Sequence, residues 1–411
     1  MKDQLFKWID DSIDIAIELQ TELTKRPAIS PESGGTGELD KCLFLEEFLK
    51  ANGITNLERY NAPDIRAKGQ ERPNLVATID GSDGNKERLW IMSHIDIVPP
   101  GDEELWESDP WTVVKKEDKQ GIKLIGRGVE DNQQGIVSSI LAALAFVKQG
   151  LKPERTIKLL FVSDEEVGSV YGIKWLVENH SDLFKKSDMV LVPDGGDIKG
   201  EFIEIAEKNV LWIKFTTNGR QAHSARPDSG VNAFLAGCEL ALCLHYELSA
   251  EFYERDSLFN PDYSTFQVTK KEANVQNINT IPGQDIFYMD MRILPMYSTE
   301  LVLKEVDNIK TIIEEKHGVT IEYSIEQRME SIPTPVDSLI VKKIGEAAKE
   351  IYNVEAKPLG IGGGTVAAHL RKIGIDCAVW TKTQQSLHQP NEYCYLDNII
   401  GDAKVMALLV K

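Results

Sequence analysis

The spacing of apolar residues divides the chain into two textures. Leu5, Ile9, Ile13, Ile17 and Leu23 recur at near-helical spacing and predict an amphipathic helix over residues 5–24. Pro, Gly and Ser fill the segment PAISPESGGTGE, which reads as a loop, before a second helix through Leu43, Leu45, Phe48 and Leu49. Strands and helices then alternate. NLVATID, LWIMSHIDIV, TIKLLFVSDEE and MVLVPDGG read as strands, the last three as continuous apolar runs suited to burial on both faces. NQQGIVSSILAALAFVKQG reads as a helix with Ile136, Ile140, Leu144 and Val147 along one face, and YGIKWLVENH as another. This order predicts an α/β domain with a mostly parallel central sheet.

From about Val210 the pattern changes. LWIKFTTNG alternates as a half-exposed strand, a long helix covers residues 231–247, and IFYMDMRIL alternates again. A helix over about 299–315 and the strand VTIEYSIE follow. Strand, helix, strand, strand, helix, strand predicts a small α+β sandwich with antiparallel pairing. Helices near 338–352 and 364–373, a strand at CAVW and a last helix from Asn398 then rejoin the first domain. The expected organisation is a discontinuous domain of residues 1–209 and 328–411 and an inserted domain of residues 210–327.

A length of 411 residues also favours two domains. The net charge of −19 opposes nucleic-acid binding, which needs clustered Lys and Arg. The five cysteines form no CxxC pair, and Cys238 and Cys243 fall in an apolar helical stretch that suggests buried thiols. The N-terminus lacks a signal peptide's continuous apolar core, and no run approaches the roughly 20 apolar residues of a membrane span. A reducing cytoplasm is the expected compartment. No GxSxG elbow marks a serine hydrolase.

Against this background five metal-capable side chains stand out: His94, Asp131, Glu166, Asp194 and His388. Each sits where a predicted strand or helix ends, and in parallel sheets functional groups gather beyond the carboxyl ends of the strands. Singly, each has a plainer explanation. Asp131 precedes a helix and suits an N-cap, Asp194 precedes Gly in a turn-like pair, and His388 suits a surface loop. Together, two imidazoles and three carboxylates match a pair of divalent cations sharing one carboxylate. Their charge of about −3 against two divalent cations leaves a centre that a partly buried site tolerates. The absence of thiolate suits zinc, with cobalt or manganese as alternatives. Asp96, two residues beyond His94, is placed to accept the spare ring N–H. Glu165, beside Glu166, is left as a general base, which argues for a two-metal hydrolase over a metal-stabilised binding protein without turnover. The stretch GIGGGTVAAHL, with Gly363, Gly364 and Thr365, opens a helix and offers backbone N–H groups to a carboxylate.

SHIDIVPPGD, GRGVEDNQQG, VSDEEVGS, PDGG and LHQPNEY together resemble the motifs of the co-catalytic zinc peptidase family of acetylornithine deacetylase, succinyl-diaminopimelate desuccinylase, aminoacylase and carboxypeptidase G. The resemblance spans essentially the whole chain. It implies that His94 and Asp194 hold one metal, Glu166 and His388 the other, with Asp131 between them and Glu165 as the base. It also implies a cis peptide at Asp131–Asn132. The insertion would be a lid that doubles as the homodimerisation domain, with His223 of NGRQAHSARPDSGVNA reaching the partner subunit's site to hold an oxyanion. Asn279 and Arg292 would take the substrate carboxylate. The implied substrate is an N-acyl amino acid, or in the alternative a dipeptide. Many relatives carry Lys or Met after the bridging aspartate where this chain has Asn132, which weakens assignment to one subfamily but touches no ligand.

Overall fold

The computed structural model describes all residues from Met1 to Lys411. They divide into two compact units, one of Met1–Ile205, Thr334–Leu359 and His369–Lys411, the other of Ala206–Pro333 and Gly360–Ala368. Gly360–Ala368, which the sequence pattern leaves with the first domain, packs with the second unit for local reasons. The Lys208 amide donates to the Ile361 carbonyl at 3.0 Å, Thr365 Oγ1 donates to Glu207 at 2.6 Å, and Gly360 lies against the Phe259 ring where a Cβ would collide.

The first unit is built on an eight-stranded sheet. Its order is Leu57–Pro63, Glu71–Ile79, Ile157–Val162, Leu89–His94, Met189–Asp197, Asp376–Lys382, Phe202–Glu207 and Lys357–Ile361. Ile157–Val162, Leu89–His94, Met189–Asp197 and Asp376–Lys382 run parallel in the middle of it, and antiparallel pairings flank them. Every residue of Leu89–His94 is buried, as its unbroken apolar run predicts. The helix Gln133–Lys148 is buried from Gln133 to Phe146 and packs on the C-terminal helix Leu396–Leu408.

One helix departs from the expected pattern. The N-terminal helix is broken into Lys2–Asp10 and Ile13–Thr24. At the break Ser12 Oγ donates back to the Trp8 carbonyl at 2.6 Å and the Ser12 amide bonds only three residues back, to Ile9. Asp194 lies inside the strand Met189–Asp197, as the run MVLVPDGG predicts. The strand continues through Gly195, Gly196 and Asp197 because Thr381 and Lys382 pair with it beyond a register shift. The bare Cα of Gly196 admits the Thr381 carbonyl, where any Cβ would clash.

The second unit has a four-stranded antiparallel sheet in the order Thr265–Lys271, Gln284–Ile293, Asn209–Asn218, Thr320–Met329, with the helices Ala233–Glu251 and Thr299–His317. Its core joins Phe215, Phe266 and Phe287 to Leu240, Leu244 and Val306. Cys238 and Cys243 are only partly buried, contrary to expectation. Their helix turns the stripe Ala236, Leu240, Leu244 and Leu248 inward and leaves them beside it. The buried thiols are Cys42, Cys377 and Cys394. No helix is long and apolar enough to cross a membrane.

Gly135 marks where the buried helix meets the sheet most closely. A Cβ there would stand 2.6 Å from the Pro193 carbonyl and 2.7 Å from Asn132 Oδ1. Since a backbone oxygen cannot swing aside, Gly135→Ala is expected to destabilise the protein by about 1–3 kcal/mol. Denaturant unfolding measures this, and an unchanged midpoint would refute the close approach.

Candidate metal centre

His94 ends its strand with the ring buried. Its Nε2 lies 2.8 Å from Asp131 Oδ1 and 3.3 Å from Asp194 Oδ1. Its Nδ1 faces the main-chain carbonyl of Asp96 at 3.0 Å, with the Asp96 carboxylate farther away at 3.5 Å. The sequence assigned that partnership to the carboxylate. In the structure the carboxylate instead accepts the amides of Glu165 and Glu166, each at 3.0 Å, and so fixes the turn that presents both acids. The carbonyl is the nearer acceptor for the Nδ1 proton, leaving Nε2 to face the carboxylates.

Asp131 reaches both imidazoles. Oδ1 faces His94, and Oδ2 lies 3.1 Å from His388 Nε2. The same His388 nitrogen is 3.1 Å from Glu166 Oε2. Ligand atoms of His94, Glu165 and Asp194 lie within 4.8 Å of one another, as do those of His94, Asp131 and Glu166. All five residues expected as ligands, and Glu165, therefore meet at one place within the first unit. The peptide bond Asp131–Asn132 is cis. The donors are imidazole nitrogens and carboxylate oxygens, a set that fits divalent cations.

The electrostatics of the cluster point the same way. Burial disfavours charge on His94, but Asp194, Asp131 and Asp96 outweigh it and hold its pKa well above the ordinary value. Hydrogen bonds to Asp131 and Glu166 carry His388 up to about 10. Burial raises Glu165, Glu166 and Asp194, and neighbouring acids add to it. Asp131 moves down despite its burial, because both imidazoles bond to it. Acids crowded out of water in this way are relieved by cations placed among them.

Several contributors escaped the sequence reading. Asp164, the first of three consecutive acids, turns away from the cluster; Arg72 neutralises it at 3.1 Å and the Tyr171 amide donates to it at 3.0 Å. Arg72 is itself fully buried, and its guanidinium also pairs with Glu38. Asn132 Nδ2 donates to Asp194 at 2.5 Å and to the Pro193 carbonyl at 2.8 Å, which orients Asp194. Glu130 and Glu392, both buried, flank Asp131 and His388. Their one sequence signal was an acid inside the motifs GRGVEDNQQG and LHQPNEY, close to a candidate ligand.

The remaining candidates lie in the second unit. His223 and Asn279 are exposed neighbours on a short ladder where His223 pairs with Thr280, and the Ser224 amide donates to the Asn279 carbonyl at 2.9 Å. Arg292 is clasped by Asp290 at 2.6 and 2.9 Å and donates to the Gly362 carbonyl at 2.9 Å. That contact brings it beside the glycine-rich segment of Gly363, Gly364 and Thr365. A Cβ at Gly363 would meet open space, whereas Gly364 lies against Met329.

Residues 90–411 match the description Peptidase family M20/M25/M40. An uncharacterized metallohydrolase of Methanococcus maripaludis is 41% identical over 97% of this chain and 99% of its own. The chain belongs to this metallopeptidase family. As a member of the peptidase family M20/M25/M40 it is a metal-dependent hydrolase that acts on peptide or amide bonds and binds divalent metal. A succinyl-diaminopimelate desuccinylase of Ectopseudomonas mendocina is 26% identical over 92% of each chain. Among solved structures, the aminopeptidase PepT of Bacillus cereus is similar in fold, with a TM-score of 0.74 at 16% identity, covering 97% of this chain and 98% of that one.

The raised pKa values set the pH dependence of metal binding. Without a cation, the imidazoles and buried carboxyls of this metallopeptidase hold protons that a cation must displace. Affinity for cobalt is therefore expected to rise from mildly acid to mildly alkaline pH, with net proton release on binding. Calorimetry in buffers of different ionisation heat reads that release. Proton uptake, or an affinity indifferent to pH, would contradict the cluster as a cation site.

Proposed function

We propose that the chain is a two-cation amidohydrolase that removes the acyl group from N-acyl amino acids of the acetylornithine or succinyl-diaminopimelate kind. The observation that carries this reading is Asp131, whose two oxygens face two imidazoles from distant parts of the chain while Glu165 stands beside them. The likeness to desuccinylases over nearly the full length supports it.

In this reading His94 and Asp194 hold one cation, Glu166 and His388 the other, and Asp131 both. Zinc suits the donors best, with cobalt or manganese as alternatives. The bound cations supply Lewis-acid activation of water and of the scissile carbonyl. Glu165 takes the proton from the attacking water and returns it to the leaving amine. Asp96 holds Glu165 in place through its amide. From the resemblance we carry over His223 as an oxyanion donor, and Arg292 and Asn279, with the backbone of Gly363, Gly364 and Thr365, as the carboxylate receptor. The same resemblance carries over a homodimer formed through the inserted domain, and the cysteine pattern supports a cytoplasmic location.

A second reading is a dipeptidase or carboxypeptidase, and one feature weighs against the succinyl form of the first. A cavity of about 230 Å³ beside Asp131 and Asp194 is lined by Pro193, Gly195, Gly196, Thr383 and Leu387 among others, with no Lys or Arg. It suits a small uncharged group better than an anionic succinyl tail.

Two experiments test these assignments. Glu165→Gln is expected to keep both cations and lose on the order of 10²–10⁴ in kcat; near-normal turnover would remove Glu165 as the base. A panel of N-acetyl, N-succinyl and dipeptide substrates, assayed with added zinc or cobalt, separates the two readings. Cleavage of an N-acyl amino acid abolished by a chelator is the expected result, and cleavage of dipeptides alone would overturn the deacylase assignment.

A further inference from the structure

Two segments far apart in sequence meet beneath the candidate centre. Gly121–Ile125 and Tyr393–Tyr395 pair as antiparallel strands, with Tyr393 opposite Ile125. Past that pair both chains leave the ladder, one toward Asp131 and the other toward His388. From there each is held by a buried carboxylate from the other. Glu392 accepts Arg127 Nη1 at 2.6 Å, the Gly128 amide at 2.8 Å, and the amides of Glu130 and Asp131 at 2.9 Å each. Glu130 in return accepts Thr383 Oγ1 at 2.5 Å, the Ser386 amide at 2.5 Å, Ser386 Oγ at 2.6 Å and the Gln384 amide. Each carboxylate thus meets four donors, all from the opposite segment.

The His388 segment needs such an anchor. Gln385, His388 and Asn391 all have φ near +60°, a left-handed conformation that residues other than glycine adopt at a cost. His and Asn enter this region more readily than most residues, but a loop with three such positions still depends on its surroundings to turn His388 toward Asp131. The His94 and Asp194 pair, by contrast, is oriented by the Asp96 carbonyl and by Asn132, which lie outside the exchange.

We propose that Glu130 and Glu392 form a reciprocal clamp that positions Asp131 and His388 together; the cation assigned to Glu166 and His388 has both of these as ligands and the other cation only the shared Asp131, so the first depends on the clamp more than the second. The inference rests on the two-cation reading above. Glu130 and Glu392 are positioning residues, since their carboxylate oxygens are taken up by donors of the opposite segment, although Glu130 also borders the cavity beside Asp131.

Stepwise cobalt titration, followed by calorimetry and by the cobalt absorption spectrum, tests this on the full chain. The wild-type protein is expected to bind two cations. Glu130→Gln and Glu392→Gln each place an amide N–H against donors and remove a charge. Each is expected to weaken one binding step by roughly 10–100-fold, the range typical of lost outer-sphere support, and to leave the other within about threefold. Thr383→Val with Ser386→Ala removes two of Glu130's donors without altering charge. This pair should weaken the same step by about tenfold and covers the case in which the glutamine variants do not fold, as judged by circular dichroism. A folded variant that binds both cations like wild type, or that loses both equally, overturns the clamp. A wild-type protein that binds fewer than two cations overturns the two-cation reading instead, and the clamp with it.

Discussion

A carboxylate taken out of water must meet an opposite charge or several hydrogen-bond donors, because isolated it costs more than the fold can supply. The first unit buries Glu38, Asp96, Glu130, Asp164 and Glu392, and sets Asp131, Glu165, Glu166 and Asp194 among them. The ways these acids are satisfied organise the rest of the structure. Arg72 forms ion pairs with both Glu38 and Asp164. Backbone amides and hydroxyls satisfy Asp96 and Glu130, and backbone amides with Arg127 satisfy Glu392. The acids left facing one another and the two imidazoles have fewer such donors, and burial with neighbouring acids raises Glu165, Glu166 and Asp194, while the imidazoles hold Asp131 down. A family of metal-dependent hydrolases is the setting in which such an imbalance has a use.

The sheet makes the convergence possible. The parallel strands Ile157–Val162, Leu89–His94 and Met189–Asp197 deliver His94, the turn of Glu165 and Glu166, and Asp194 toward the same edge. Asp131 comes from the start of a helix buried along nearly its whole length, so its backbone has little freedom. His388 comes from a loop, and it is the member with the least help from regular structure. The two acids on the neighbouring loops therefore matter beyond their own burial. They convert a loop residue into one held from several directions.

Much of this was legible in the sequence. Continuous apolar runs marked the buried strands, alternation marked the inserted sheet, and the acids and histidines at the ends of those runs marked the place where chemistry gathers. Those signals are local, since they follow from the periods of strand and helix and from side-chain chemistry. Other features were not legible, for equally physical reasons. Cys238 and Cys243 sit in an apolar stretch that suggests burial, yet their helix turns the neighbouring stripe of Ala236, Leu240, Leu244 and Leu248 inward. Asp96 looked like a partner for an imidazole two residues away, but its carboxylate is claimed by amides some seventy residues on.

The sequence by itself determined the fold class, the two textures of chain and the inventory of groups able to bind a cation, because period and chemistry are properties of short segments. Tertiary structure alone decided which acid is neutralised by Arg72, which faces an imidazole, and which carboxylates cross between segments more than 250 residues apart. It also decided that Gly360–Ala368 packs with the second unit. The reason is the same in each case. A buried charge selects its partner by proximity in space, and proximity between distant segments is set by the packing of the whole sheet.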